Sequence, residues 1–367
     1  MNHPVRLRRS FKALLFVASL LLAAISGTTW AGGPPPPTIS TACGGYPCGV
    51  SQSALLEQVL RSGTYATFNQ AMAFVNSYFQ AGFGHVASAP GGGTRFALGD
   101  PAETGKAASA GSPPAWNAWV SGARANVGTS FEPLKADGNV KAALLGVDYT
   151  FSNQAILGVA LADTRARVDT PFNGGNFSAD GTTVSPYLLY PLNAHWAVNA
   201  GFGIGRATLK SLDNTNGVTL TGQNKSDTTL ANLGIEYNQI FGNWALTGRA
   251  GASTYRDKQS GQTLSDGTVV PGSSARASQL RLGGEVGYNA GVFVPYAGLT
   301  YIRDTKLPAQ SAVSGQTPSN DKDAYQLALG IQYRSPGPLY GNIQLATERG
   351  RSQFKNDVIM FNLGAHF

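Results

Sequence analysis

The sequence predicts an all-β protein: a twelve-stranded antiparallel transmembrane β-barrel preceded by a short helical segment and a Gly/Ala/Pro linker. Three observations lead there. The first is composition: 367 residues hold 46 glycines and 20 prolines while only 13% are charged, a turn-rich, charge-poor balance that is neither disordered nor collagenous. The second is a switch of hydrophobic period from 3.6 to 2 near residue 115. The third is an alternation of short and long connections between the period-2 segments, as in outer-membrane barrels.

Residues 1–31 read as a secretory signal to be removed, with Arg6, Arg8, Arg9 and Lys12 ahead of the apolar run Ala13 to Ile25 and Thr29-Trp30-Ala31 at the end. That run of 13 residues is shorter than the ~20 a spanning helix needs. No later run reaches 18 apolar residues, so the exported chain is either soluble or a closed barrel. The formal charge of +7 falls once those four are set aside, leaving 23 basic residues against 20 acidic. So small an excess gives no footprint for nucleic acid.

Residues 32–51 open with four prolines, Pro34 to Pro37, an extended spacer, and carry Cys43 and Cys48. In an oxidising compartment these two are expected as a small disulfide loop, since a metal site would need further ligands nearby. Residues 52–83 place Leu55, Leu56, Val59 and Leu60, then Phe68, Met72, Val75 and Phe79, at helical steps around Gly63. Such an apolar face either packs outside the barrel, forms a junction, or enters the pore. Residues 84–114 are a flexible linker of Gly, Ala, Ser and Pro.

Residues 115–367 are the barrel. Ile359, Phe361, Leu363, Ala365 and Phe367 alternate with Met360, Asn362, Gly364 and His366, so one face of this strand is apolar and the other small or polar. The same split gives strands at about 115–128, 139–151, 155–168, 180–192, 194–211, 226–241, 243–257, 274–289, 291–306, 321–335, 338–349 and 353–367. In the first of these, Trp116, Trp119 and Arg124 break parity, which predicts a bulge or a shifted boundary. Long loops are expected at about 129–138, 169–179, 212–225, 258–273 and 307–320. A secreted sandwich also alternates, but its second face would carry Lys, Glu, Ser and Thr for water. Here many of those positions are glycine, and aromatics such as Tyr149, Trp196, Trp244, Tyr288 and Phe367 gather at the short-turn ends, as at a membrane interface.

With the apolar parity facing lipid, Asp148, Glu236, Arg249, Arg281, Glu285, Arg334 and Glu348 become candidate lumen residues, together with glycines including Gly146, Gly158, Gly203 and Gly234. Strand glycines mark places where something else comes close, and a twelve-stranded lumen has room for one extended chain or helix. Glycines that merely relieve curvature or keep a water channel open are the plainer alternative.

The export signal, helical segment, small-residue linker, Trp-containing first strand, the segment Leu144-Leu145-Gly146-Val147-Asp148-Tyr149 and a final aromatic strand ending in Phe367 resemble the translocator β-domain of autotransporters, the type V secretion family of Gram-negative bacteria. The resemblance covers about 115–367 and implies an outer-membrane barrel embedded in lipid. It also implies escort by periplasmic chaperones and insertion by the barrel-assembly machinery, which would read the last strand through Phe361, Leu363 and Phe367. An upstream chain would thread to the surface, where it could meet an adhesion target of unknown identity. This chain departs in having no 20–30-residue repeat of a β-helical passenger between signal and barrel.

Enzymatic chemistry is not expected. The four histidines, His3, His85, His195 and His366, avoid the long-loop rim, and no G-x-S-x-G elbow occurs. Gly99 to Lys106 is one residue too long for a phosphate loop and lacks the Ser/Thr that follows the lysine. No cofactor or metal is expected. The reading is therefore an outer-membrane barrel that translocates or displays its short N-terminal segment, the alternative being a narrow pore or structural barrel whose N-terminal segment stays periplasmic.

Overall fold

Alternation along each segment is realised as twelve long strands that close on themselves. The computed structural model describes residues 115–367 except 132–134, 153, 194, 216, 308–318 and 335–337. The signal, the Cys43/Cys48 segment, the helical segment and the linker lie outside the described residues. The barrel strands are β1 (Ala115–Thr129), β2 (Ala136–Thr150), β3 (Ile156–Thr170), β4 (Gly175–Pro191), β5 (Trp196–Thr215), β6 (Val218–Phe241), β7 (Trp244–Gln259), β10 (Ser273–Tyr288), β11 (Phe293–Lys306), β12 (Asp323–Arg334), β13 (Leu339–Arg349) and β14 (Phe354–His366). Between β7 and β10, β8 (Gln262–Thr263) and β9 (Val269–Val270) form a separate two-stranded ribbon.

Each barrel strand pairs antiparallel with its chain neighbours, and β1 pairs with β14 from Asn117↔His366 to Thr129↔Phe354, which closes the ring. Closure leaves no edge with unpaired backbone groups, the condition for strands to cross hydrocarbon. The lipid face follows from side-chain parity: Leu145, Ile204, Leu282, Leu299, Leu329 and Leu345 are all more than half exposed. At the short-turn end the same face carries aromatics in cross-strand contact: Trp116 with Tyr149, Trp196 with Tyr237, Trp244 with Tyr288, and Phe293 with Tyr333, with ring centroids 4.9–5.5 Å apart. These contacts form the girdle that anchors one interface.

Two expectations are corrected. Strand β1 holds unbroken register with both β2 and β14, so it contains no bulge. Trp116 and Arg124 point out while Trp119 is buried inside. The parity conflict came from treating all aromatics as lipid-facing. The register shift that does occur lies between Ser278 and Gln279, where β10 meets β11.

The segments 169–179 and 212–225, expected as loops, are mostly strand. β3 runs to Thr170 and β4 starts at Gly175 after a 3-10 turn, and β5 and β6 stay paired to Thr215↔Val218. Polar Thr, Ser and Asn remain compatible with a ladder that satisfies backbone groups above the membrane. β6, at 24 residues, is more than twice the ~9–11 that cross a bilayer. The β8–β9 ribbon leans on this hairpin, with Ser265 N donating to Thr221 O at 2.9 Å and Thr221 N donating to Ser265 Oγ at 3.1 Å.

Candidate functional site

The lumen wall differs from one side to the other. On β1–β5, β13 and β14 the inward residues of the outer half are apolar: Ala125, Val127, Val140, Val168, Phe177, Leu209 and Val358 form one buried cluster. On β6, β7 and β10–β13 charged residues join the inward set beside a smaller apolar cluster of Leu230, Tyr255 and Ala277, and the inward polar groups of the lumen form three networks, the last of them on β1, β2, β4 and β13.

The mid-barrel network centres on Arg249 of β7. Its Nε donates to Glu236 of β6 and its Nη2 to Glu285 of β10, each at 3.3 Å. Asn238 Nδ2 donates to Glu236 at 2.9 Å, and Thr247 Oγ1 to Asn238 Oδ1 at 2.9 Å. One guanidinium thus spans two carboxylates on the flanking strands, both buried, and a charge at this depth needs such pairing. Arg334 of β12 donates to Gln332 at 2.7 Å, and with Glu285 it borders a cavity of about 40 Å³. A second cavity of about 140 Å³ lies against Arg249, Arg281, Glu285 and Gln344.

The outer network joins β10, β11, β13 and the β13–β14 turn. Arg281 Nε donates to Gln279 at 2.8 Å, Gln279 Nε2 to Asp304 at 2.9 Å, and Arg351 Nη2 to Asp304 at 2.8 Å. Arg351 Nη1 also donates to Glu348. Beside it, above the membrane, Asp321 accepts from Ser352 N at 2.8 Å and from the Ser352 hydroxyl. Hydrogen bonds from the Ser319 and Ser352 side chains and from Ser352 N, in that order, hold its carboxyl down at about 2.

The inner network crosses the seam. Tyr340 of β13 donates to Asn117 of β1 at 2.9 Å, passing over β14. Asn117 Nδ2 donates to Asp148 of β2 at 3.0 Å, and Tyr187 of β4 donates to the same carboxylate at 2.7 Å. Glycine makes these reaches geometrically available: a Cβ at Gly364 would lie 2.3 Å from the Tyr340 ring.

All seven charged lumen candidates face inward, as parity requires, but they do not form one site. Glu236, Arg249 and Glu285 meet directly, Arg281 and Glu348 are linked through Gln279, Asp304 and Arg351, and Asp148 and Arg334 stand in separate clusters. Phe361, Leu363 and Phe367 face outward and are 54%, 49% and 75% exposed. Cys43 and Cys48 lie outside the described residues. Sequence reasoning missed Asn117, Trp119, Tyr187 and Tyr340, although counting by two from Trp119 would have placed Asn117 inside with it. It also missed Asp304 and Arg351, the latter in a turn where no parity exists. Among the described residues no group of three His, Cys, Asp or Glu side chains is placed to hold a metal.

A family model described as the autotransporter β-domain matches residues 118–355. No curated protein sequence matches the chain. Among solved structures, the translocator domain of autotransporter NalP from Neisseria meningitidis aligns at a TM-score of 0.60 and 12% identity, over 68% of this chain and 88% of that one. The β-domain of the Bordetella autotransporter BrkA aligns at 0.57 and 17%, over 68% and 98%. The transport unit of the autotransporter AIDA-I from Escherichia coli aligns at 0.52 and 16%, over 74% and 93%.

Proposed function

The chain belongs to the autotransporter β-domain family, and from that premise we propose that its outer-membrane barrel carries its own N-terminal segment, residues 32 to about 83, through the lumen to the cell surface. The observation that carries this reading is that the lumen has both a large buried apolar cluster, on β1–β5, β13 and β14, and a charged network centred on Arg249, on β6, β7 and β10. A segment with one apolar face, such as the expected helix with Leu55, Leu56, Val59 and Leu60, finds a matching surface there, and its polar side finds the Arg249 network. A simple water pore would have little use for Val140, Val168 and Leu209 inside it.

The barrel itself is a secretion domain held in outer-membrane lipid. In this proposal periplasmic chaperones and the barrel-assembly machinery deliver it, with the last strand and its terminal Phe367 as the recognition element. The displayed segment supplies whatever adhesive or other surface contact the protein makes, and the barrel has no catalytic role.

An epitope inserted after Thr38, probed on intact cells with antibody and external protease, tests the proposal. Labelling of cells whose barrel shows heat-modifiable migration is the expected result. A folded barrel without labelling would instead place the segment in the periplasm, as in a narrow pore or structural barrel. A disulfide cross-link between Val59→Cys and Val140→Cys, made in a background lacking Cys43 and Cys48, would locate the helix on the apolar wall.

A further inference from the structure

Arg256 of β7 and Arg276 of β10 are registered directly opposite each other. Both point outward and both are exposed. Neither makes an ion pair or a side-chain hydrogen bond among the described residues, whereas the outward Arg206 is held by Asp227 at 2.8 Å and Arg167 by Asp180 at 3.1 Å. Like charges facing each other across a ladder are destabilising, and the nearest outward carboxylate, Asp227 diagonal to Arg256, is paired with Arg206 instead.

The surroundings of the pair are graded. One outward step towards the membrane, the Thr254 and Ser278 hydroxyls lie 3.0 Å apart. One step away, Lys258 pairs in register with Ser274 of β10 and with Asp227 of β6, a carboxylate already held by Arg206. Below the hydroxyls the outward positions of the two strands are Ala252 with Leu280 and Ala250 with Leu282, down to Trp244 with Tyr288 at the opposite interface. Trp244 and Arg256 are twelve residues apart on one strand. At ~3.3 Å per residue and a tilt of ~40° that places the arginines roughly 30 Å above the aromatic girdle along the membrane normal. An apolar band ~25 Å tall ends just below them. They therefore stand in the headgroup layer, and because the long hairpins face outside, it is the layer of the outer leaflet.

We propose that Arg256, Arg276 and Lys258, with the Thr254 and Ser278 hydroxyls, bind the phosphorylated headgroup of an anionic outer-leaflet lipid. Charge complementarity selects the ligand. Two guanidiniums side by side offer paired donors that match phosphate oxygens, a third cation follows one step out, and the hydroxyl pair below suits the neutral part of a sugar-phosphate headgroup. The apolar strand faces beneath receive the acyl chains. An anion seated between the two arginines also removes the repulsion that their register creates.

The test uses the full chain purified in detergent, titrated with the diphosphorylated glycolipid lipid A, with its dephosphorylated form, with inorganic phosphate and with polyglutamate. Native mass spectrometry gives the occupancy. Lipid A is expected to bind the wild-type chain, and the Arg256→Gln/Arg276→Gln variant to lose roughly tenfold in affinity, as for the removal of charge-assisted hydrogen bonds. Arg167→Gln, on β3 and paired with Asp180 of β4, should leave binding unchanged. Because the double variant relieves a repulsion, it should fold, with normal heat-modifiable migration. Its urea midpoint should rise in phosphatidylcholine vesicles and fall, relative to wild type, when lipid A is added. Equal lipid A affinity of the double variant, equal losses for Arg167→Gln, indifference to the lipid phosphates, or preferential binding of inorganic phosphate or polyglutamate would each overturn the assignment.

Discussion

The indole N–H of Trp119 on β1 donates to the Tyr187 hydroxyl on β4 at 2.8 Å, across two intervening strands and inside the lumen. The two rings lie over Gly146 of β2 and Gly158 of β3, where an added Cβ would come within 2.2 Å of the Trp119 ring and 2.3 Å of the Tyr187 ring. The approach that these glycines permit is thus made by aromatic side chains of neighbouring strands, a contact the sequence reading did not include.

Substituting Gly146→Ala forces Trp119 off this position and should cost about 1–3 kcal/mol, as overpacking does elsewhere. The midpoint of urea unfolding in vesicles reads the loss. The smaller ring of Trp119→Phe should recover part of it in the double variant, and no recovery would argue against a steric cause.

Trp119 is 3% exposed while Trp116, Trp196 and Trp244 are 51%, 39% and 55% exposed on the lipid face. In a chain lacking residues 1–31, and Trp30 with them, brominated acyl chains should therefore quench those three and leave a residual emission that disappears in Trp119→Phe. Full quenching of the wild-type protein would place Trp119 outside and return β1 to a bulged strand.

Arg249→Met removes the cation that Glu236 and Glu285 share. Breaking a buried pair on one side costs about 3–5 kcal/mol, and the lower end is expected because the Arg249 side chain is 31% exposed. Adding Glu236→Gln and Glu285→Gln should restore much of that stability by removing the uncompensated charges. Equal stability of the single variant and wild type would show that the triad is not a structural tie.

Asp321 holds the segment before β12 to the β13–β14 turn through Ser352. Its carboxyl is depressed to about 2 in the folded protein, against ~3.9 for an unperturbed Asp. The stability it contributes is present above the unfolded value and is lost as pH falls from ~3.9 towards 2. The protection factor for hydrogen exchange at Ser352 N, taken against the intrinsic rate at each pH, should fall across that window, and Asp321→Asn should remove most of the pH dependence of that protection.

Phe367 is 75% exposed, yet its backbone pairs with Trp116 in both directions, at 2.9 and 3.0 Å. Phe367→Ala keeps those bonds, so the purified barrel should refold in detergent like wild type. In cells it should reach the heat-modifiable form more slowly if the ring is what the assembly machinery reads. Unchanged assembly in outer membranes would remove Phe367 from that role.

The strand series, the lipid face and the inward parity of Asp148, Glu236, Arg249, Arg281, Glu285, Arg334 and Glu348 were legible in the sequence because period-2 alternation is a local property, carried by residues two apart on one chain segment. The extension of β5 and β6 through 212–225 was not, because polar Thr and Asn serve a loop and a solvated ladder equally well. What only the tertiary structure decided is which inward groups meet. Tyr340 and Asn117 are 223 residues apart and touch because β14 closes onto β1. Arg256 faces Arg276 because of the register between β7 and β10. Ring closure and register are set by the whole barrel, and no local pattern encodes which side chains they bring together.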